Sequence, residues 1–170
     1  MSAGIYAITY HLAKPTSDAA YLAPRFREAV ERAVAECNDV DNQLRAKVYE
    51  TYRSNELQAV YYERGRTVKP PGTPVTNARS NLYSWHGYGL AVDVIHETKG
   101  WDAGDEWFRQ VARIFKRHRC KWGGDWTKPD PPHLQWGQCR PSPSDLAREL
   151  LRTQGIEAVW RAVGALPLPT

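Results

Sequence analysis

The stretch SWHGYGLAVDV, Ser84 to Val94, sets one histidine, two glycines and one aspartate against a run that reads as a buried strand. Asp93 stands between Val92 and Val94, where a carboxylate buried alone is strongly destabilising. It needs a partner. His86 precedes it across Gly87 and Gly89, whose missing side chains let the backbone turn tightly and bring the imidazole beside the carboxylate. One histidine and one carboxylate are half of a zinc site.

The other half stands in PDPPHLQW, where His133 opens a predicted strand and Asp130 precedes it across two prolines that stiffen the turn. His86, Asp93 and His133 make three ligands, the number typical of catalytic zinc, which leaves a position open for water. Structural sites are closed, most often by four Cys or His ligands, and no fourth such ligand is evident here. His11, His96 and His118 lie outside any comparable turn-and-strand setting and read as surface or core residues. Asp130 is then a carboxylate beside the metal, placed to take a proton from the attacking water and return it to a leaving amine. Arg53, at the end of the strand KVYETYR, offers a fixed positive charge for an oxyanion or a substrate carboxylate. Taken singly, His133, Asp130 and Arg53 are ordinary core, turn and ion-pair residues; their conjunction points to a hydrolase.

The elements that position these residues follow from periodicity. Phe26, Val30, Val34 and Cys37 fall at helical spacing within 22–37, with Pro24 suited to the first turn. Leu44, Ala46 and Val48 alternate with Arg45, Lys47 and Tyr49 as in a half-buried strand ending near Arg53. A helix over 56–64 follows, with Ser54 or Asn55 as N-cap and Gly65 as its stop. The Pro-rich stretch 67–83 reads as a long irregular loop. A strand over 89–95 is expected to turn Leu90, Val92 and Val94 to one side and Ala91, Asp93 and Ile95 to the other. Trp107, Phe108, Val111, Ile114 and Phe115 make the apolar stripe of a helix over 102–118. Short strands at 120–122 and 134–136 flank the turn GGDWTKPDPP, and two helices over 143–154 and 156–163 complete the chain, the first begun by Ser142-Pro143 and ended by Gly155. The expected fold is α+β: a small antiparallel sheet flanked by helices, the zinc site at the sheet face, and a C-terminal helical pair. One domain over 1–170 is expected, its core within about 20–140.

The 170 residues are 42% hydrophobic and 25% charged, with seven Trp and nine Tyr, a composition that argues against disorder. No apolar run reaches the length of a membrane span, and residues 1–14 lack the basic start and apolar stretch of a secretory signal. Synthesis in the cytoplasm is the expectation. Cys37, Cys120 and Cys139 are odd in number and widely spaced, which fits neither a disulfide framework nor a Cys-based zinc site. Net charge is +4 and the pI about 9.0, favouring anionic partners without choosing among them. The one local basic cluster, KRHRCK at 116–121, has the composition to touch phosphate but reads first as a solvated helix end. Trp85, Tyr88, Trp126 and Trp136 read as core or rim aromatics.

These residues resemble a known pattern. SWHGYGLAVDV is similar at every specified position to the S-x-H-x-x-G-x-A-x-D signature of the zinc metallopeptidases that include D-alanyl-D-alanine carboxypeptidases, D-alanyl-D-alanine dipeptidases and phage L-alanyl-D-glutamate endopeptidases. YRSNELQ resembles the family's Y-R-S-x-x-x-Q segment, PDPPHLQW supplies its acid-x-x-His element, and NARSNLYSWHGYG and WGGDW resemble the endopeptidase branch. The similarity runs in the family's order from Val48 to Trp136. It implies zinc on His86, Asp93 and His133, Asp130 as catalytic base, and Arg53 holding or polarising substrate. Thr51 stands where the family often has Gly, and Asp130 where the carboxypeptidase and dipeptidase branches usually have Glu; the second departure favours the endopeptidase branch.

The expectation is therefore a zinc peptidase of bacterial peptidoglycan, with one catalytic Zn2+, cutting the stem peptide between L-alanine and D-glutamate in an endolysin-like role. It would act on the wall as a monomer, reached through a holin-type pore or a secretion machine, with no nucleic-acid partner and no stable membrane insertion. Three acidic residues balance three basic ones between 141 and 164, so the C-terminal helices, with Leu146, Leu150, Leu151, Val159, Trp160 and Val163 as their apolar face, are expected to pack on the catalytic domain and not to disturb a membrane. A carboxypeptidase releasing D-alanine, with Arg53, Arg66 or Arg79 holding the free carboxylate, is the rival within the class. A metal-containing wall-binding module without hydrolysis is the rival outside it.

Overall fold

The computed structural model describes residues 14–64, 66–67 and 74–169. Four strands, β1 (Ala46–Glu50), β2 (Ala91–His96), β3 (Cys120–Trp122) and β4 (His133–Trp136), form one antiparallel sheet in the order β1-β2-β4-β3. Five α-helices accompany it among the described residues: α1 (Pro24–Cys37), α2 (Asn55–Glu63), α3 (Asp105–Arg117), α4 (Asp145–Gln154) and α5 (Ile156–Ala162). The expected α+β class is what the chain adopts.

The sheet has a packed back and a chemical front. Side chains alternate between faces along a strand, so Val92 and Val94 of β2 and Leu134 and Trp136 of β4 belong to the back. There α1 buries Phe26, Ala29, Val30, Ala33 and Cys37, and the Phe26 and Trp136 rings meet edge to face at 6.3 Å. Helix α3 packs beside α1 through Phe108, Val111, Ala112, Ile114 and Phe115. All six residues of β2 are buried, because its front is covered as well.

Register fixes what the front carries. Asp93 of β2 pairs with His133 of β4, and directly opposed residues point to the same face. On the other side β1 runs in register with β2 through Val48↔Val94 and then slips by one residue, so that Glu50, not Tyr49, opposes Asp93. Without that bulge the period of two would hold Glu50 on the back among the apolar residues; the extra residue turns it to the front. Glu50, Asp93 and His133 therefore form a row across three strands.

Several expected boundaries move, each for a local reason. β1 ends at Glu50 because the bulge stops regular pairing. α3 begins at Asp105, after Gly104 at φ 91, and not at Asp102. The cap of α4 is Ser144, whose hydroxyl accepts from the Ala147 N–H at 3.1 Å, in place of Ser142-Pro143. Ser54 caps α2 as expected by accepting from Leu57 N–H, while the expected stop at Gly65 and residues 68–73 of the 67–83 loop lie outside the described residues.

The C-terminal helices dock on the domain as expected, with one exception. Trp160 is buried and its indole N–H donates to the Tyr88 carbonyl at 2.7 Å, while the Trp136 indole N–H donates to the Val163 carbonyl at 2.6 Å. Leu150 and Leu151 pack on the core, but Leu146 is 64% exposed. Ala147 at 6% takes the inward position, and the residue before it is rotated by about 100° around the helix. Cys37, Cys120 and Cys139 are free and buried, and burial pushes each thiol up to about 12, which leaves them unreactive. No described helix is long and apolar enough to cross a membrane.

Candidate active site

His86 sits in a 3-10 turn, Trp85–Tyr88, wedged between strand β2 and the segment after β1. Two glycines allow it. A Cβ on Gly87 would stand 2.1 Å from the Asn81 carbonyl oxygen, and Gly89 ends the turn at φ 66, a conformation that costs a residue with a side chain about 1 kcal/mol or more.

The turn carries the imidazole to the front row. His86 Nε2 lies 3.4 Å from Asp93 Oδ1, and His133 Nδ1 lies 3.8 Å from the same oxygen. One ligand atom from each of the three residues fits within 4.8 Å of the others. His133 and Asp93 are held by the β2–β4 register, and His86 and His133 stack edge to face at 5.2 Å.

The protein presets both imidazoles as ligands. His86 Nδ1 is 3.0 Å from the Thr51 carbonyl oxygen, which can only accept, so the proton resides on Nδ1 and the lone pair of Nε2 faces the cluster. That Nε2 is buried with no hydrogen-bond partner, an orphan acceptor of the kind that a bound ion explains. His133 is fixed by a longer chain of the same logic. The Gln135 amide donates to the Arg140 carbonyl at 2.7 Å, so its Oε1 is the atom that accepts from His133 Nε2 at 2.9 Å. His133 Nδ1 is thereby left free for the cluster. Metal-binding histidines are commonly oriented through their second nitrogen in this way, and the donor set and orphan nitrogen fit a divalent metal with N and O affinity.

Charges around the triad are paired and buried. Arg53 forks onto Glu50, Nε to Oε1 at 3.0 Å and an Nη to Oε2 at 2.7 Å; it also donates to Gln58 Oε1 at 3.0 Å and stands 3.5 Å from Asp93 Oδ2. Glu50 is 1% exposed and Arg53 8%. Burial alone would raise the Asp93 carboxyl, but the His86 imidazole, when it carries a second proton in the metal-free protein, and then the Arg53 guanidinium hold it well below the usual carboxylate range. Burial pushes His133 down to about 4, reinforced by the neighbouring His86, so it is neutral at pH 7 as a ligand must be.

Asp130 stands at the rim. Its Oδ2 is 4.0 Å from His133 Nδ1 and half of its side chain reaches solvent. Loss of hydration against the site, and then the negative charge of Asp93, push its carboxyl up to about 6, a value suited to exchanging protons near neutrality. Gly123 makes room for this loop. A Cβ there would lie 2.5 Å from the Asp130 carbonyl oxygen and 3.0 Å from His133 Cβ.

All five site residues singled out in the sequence thus gather within one cluster. Sequence reasoning missed Glu50 and Gln135 and gave no role to Gln58, although Gln58 closes the Y-R-S-x-x-x-Q segment. Gln135 carried a signal, since it lies two residues after His133 on the same strand face; Glu50 carried none, because the bulge that turns it inward depends on pairing with β2. Of the aromatics, Trp85, Tyr88 and Trp136 are core, while Trp126 is half-buried with its ring 4.8 Å from that of His133. His96 is no ligand: its Nδ1 accepts from Thr98 and Lys99 N–H in the turn after β2. His118 pairs with Glu36 at 2.5 Å, and His11 lies outside the described residues.

Comparison with known proteins agrees with this geometry. Residues 77–136 match a family model described as D-alanyl-D-alanine carboxypeptidase, a segment that includes His86, Asp93, Asp130 and His133. Among solved structures, the Serratia marcescens L-Ala D-Glu endopeptidase ChiX has a similar fold, with a TM-score of 0.51 and 23% identity over 69% of this chain and 82% of that one. No curated protein sequence matches significantly. The matched segment and the similar fold support a peptidase, and the resemblance carried by the motifs is borne out over residues 77–136, which are similar to the D-alanyl-D-alanine carboxypeptidase model.

Proposed function

We propose that this protein is a zinc-dependent peptidase of bacterial peptidoglycan that cleaves the stem peptide between L-alanine and D-glutamate. The observation that carries the reading is the buried, partnerless Nε2 of His86 aimed at Asp93 and His133, with the Asp130 carboxyl at the rim of the same cluster. Bound to His86, Asp93 and His133, zinc would supply Lewis acidity and make water a nucleophile near neutral pH.

The chain's own residues do the rest. Asp130 accepts the proton of the attacking water and delivers it to the leaving amine, for which its raised carboxyl is matched. Arg53 acts through Asp93: its fork is occupied by Glu50 and its remaining reach fixes the ligand carboxylate, so it holds the site in place and is not free to clamp a substrate carboxylate. That occupancy counts against Arg53 as the cation a carboxypeptidase needs and favours an endopeptidase. The L-Ala D-Glu endopeptidase activity of the similarly folded ChiX and the Asp at position 130 support the same bond.

Two experiments test the reading. Purified peptidoglycan is incubated with the protein with and without a zinc chelator, and the soluble fragments are read by mass spectrometry. Chelator-sensitive peptides beginning at D-glutamate are expected; free D-alanine would reassign the enzyme as a carboxypeptidase, and intact peptidoglycan with zinc bound would leave a binding module. Second, Asp130→Asn should keep its metal and lose activity by roughly 10²–10⁴-fold, measured by metal analysis beside turnover; an active variant would remove Asp130 as the base.

A further inference from the structure

Behind the sheet, on the face opposite His133, lies a cavity of about 340 Å³ that the peptidase chemistry does not use. Its lining comes from α1, the end of α3 and Trp136 of β4. Trp136 is three residues beyond His133 on its strand and points to the other face, so this cavity is separate from the candidate active site. Arg25, Arg32, Arg117 and Arg119 line it against a single acidic lining residue, Glu28.

The four guanidiniums differ in how they are held. Arg32 pairs with Glu28 at 2.6 Å and Arg117 with Glu36 at 2.5 Å. Arg25 is fixed by donating to the Gly164 carbonyl at 2.8 Å and lies over the Trp136 ring at 5.6 Å, with no carboxylate on it among the described ion pairs. Arg119 likewise has no ion pair and is exposed. Its backbone is informative. Arg119 follows the C-cap of α3 at φ 65, the position where a helix usually ends on glycine because any Cβ is strained there. This turn sets the exposed guanidinium of Arg119 on the basic cavity, at a backbone conformation shared with Gln43 and Arg45 among the described non-glycine residues.

We propose that this cavity is a second binding site, for a phosphodiester chain that lacks stackable bases, engaged by Arg119 and Arg25 and by Arg32, which exchanges its exposed, weakly stabilising pair with Glu28 for a phosphate. Guanidinium is the side chain best matched to phosphate oxygens. Arg25 and Arg32 are seven residues apart on α1, a separation of about 10 Å along the axis, which suits successive phosphates of a chain better than one free ion. Single-stranded nucleic acid is disfavoured, because single strands are held largely by bases stacking on exposed aromatics and the one indole here, Trp136, is 2% exposed; duplex DNA, bound through its phosphates, is the competitor that a titration at equal charge must separate. Poly(glycerol phosphate) is the simplest ligand of this class. The proposal does not depend on which peptide bond the enzyme cuts.

The test titrates the full-length protein with a glycerol phosphate decamer by calorimetry at low salt, beside single-stranded and duplex DNA of equal charge. Saturable binding is expected, weakened at least tenfold by Arg119→Gly, with peptidase turnover unchanged and Tm equal or higher because the strain at φ 65 is relieved. Arg119→Asn, which tolerates positive φ, repeats the measurement should the glycine variant fold poorly. Arg109→Gln, which removes an exposed charge of α3 outside the cavity, is expected to leave affinity unchanged. Wild-type affinity in both Arg119 variants, an equal loss in Arg109→Gln, or DNA binding as tight as the decamer would overturn the proposal.

Discussion

At the scale of single residues, the site is a set of buried charges that are stable only together. Glu50 is 1% exposed and its carboxylate is met by the Arg53 fork, so removing Arg53 leaves a buried charge alone. Arg53→Met is expected to destabilise the protein by about 3–5 kcal/mol, read from chemical denaturation of the metal-free protein. The double variant Glu50→Gln with Arg53→Met should recover part of that loss, since Glu50 no longer leaves a charge alone while Asp93 still lacks its arginine. If the single and double variants are equally unstable, the pair is not the unit we describe. His86, Asp93, His133 and Asp130 were legible in the sequence because their types and order carry chemistry that few other arrangements share. Glu50 was not, since one strand's alternation cannot reveal a bulge that exists only in its pairing with another.

At the scale of elements, two tight loops hold the ligands, and each was readable only in part. The glycines of the His86 turn announced a sharp bend; that the bend is a 3-10 helix anchored by the Thr51 carbonyl depended on a contact 35 residues away in the chain. The helices α1 and α3 followed directly from apolar stripes, because each buries one face against the sheet. The loop before β4 is the other support. Gly123 lies so close to this loop that an added methyl would press on both Asp130 and His133. Gly123→Ala should therefore leave the fold intact but lower metal affinity by about 10–100-fold, the range seen when groups orienting metal ligands are disturbed. Competitive chelation by a chromogenic zinc indicator measures this, and unchanged affinity would show that the loop yields without moving the ligand.

At the scale of the whole molecule, folding and metal binding are linked through protonation. Take the metal-free protein. His133 has a folded value of about 4 against an ordinary 6.5, so the native state binds fewer protons than the unfolded one. Its contribution is fully present above pH 6.5 and is lost as pH falls toward 4, a change of about 3 kcal/mol. Asp130 works the other way. Its carboxyl is raised to about 6 from an ordinary 3.8, so it disfavours the native state at neutral pH and that penalty is relieved as pH falls through the same window. The two oppose each other in the wild type, and Asp130→Asn leaves only the histidine. Urea denaturation at pH 7, 5.5 and 4 should therefore show a steeper loss of stability in Asp130→Asn than in the wild type; identical slopes would mean that neither lost hydration nor the Asp93 charge raises the Asp130 carboxyl. A dication on the triad stabilises the native state in addition, by about 2.7 kcal/mol at a hundredfold excess over its Kd. For a chain of this size that corresponds to about 5–10 °C in Tm. Chelation at pH 7 should lower Tm by that amount and restored zinc should return it, whereas a Tm indifferent to both would show that His86 Nε2, Asp93 and His133 do not form a metal site.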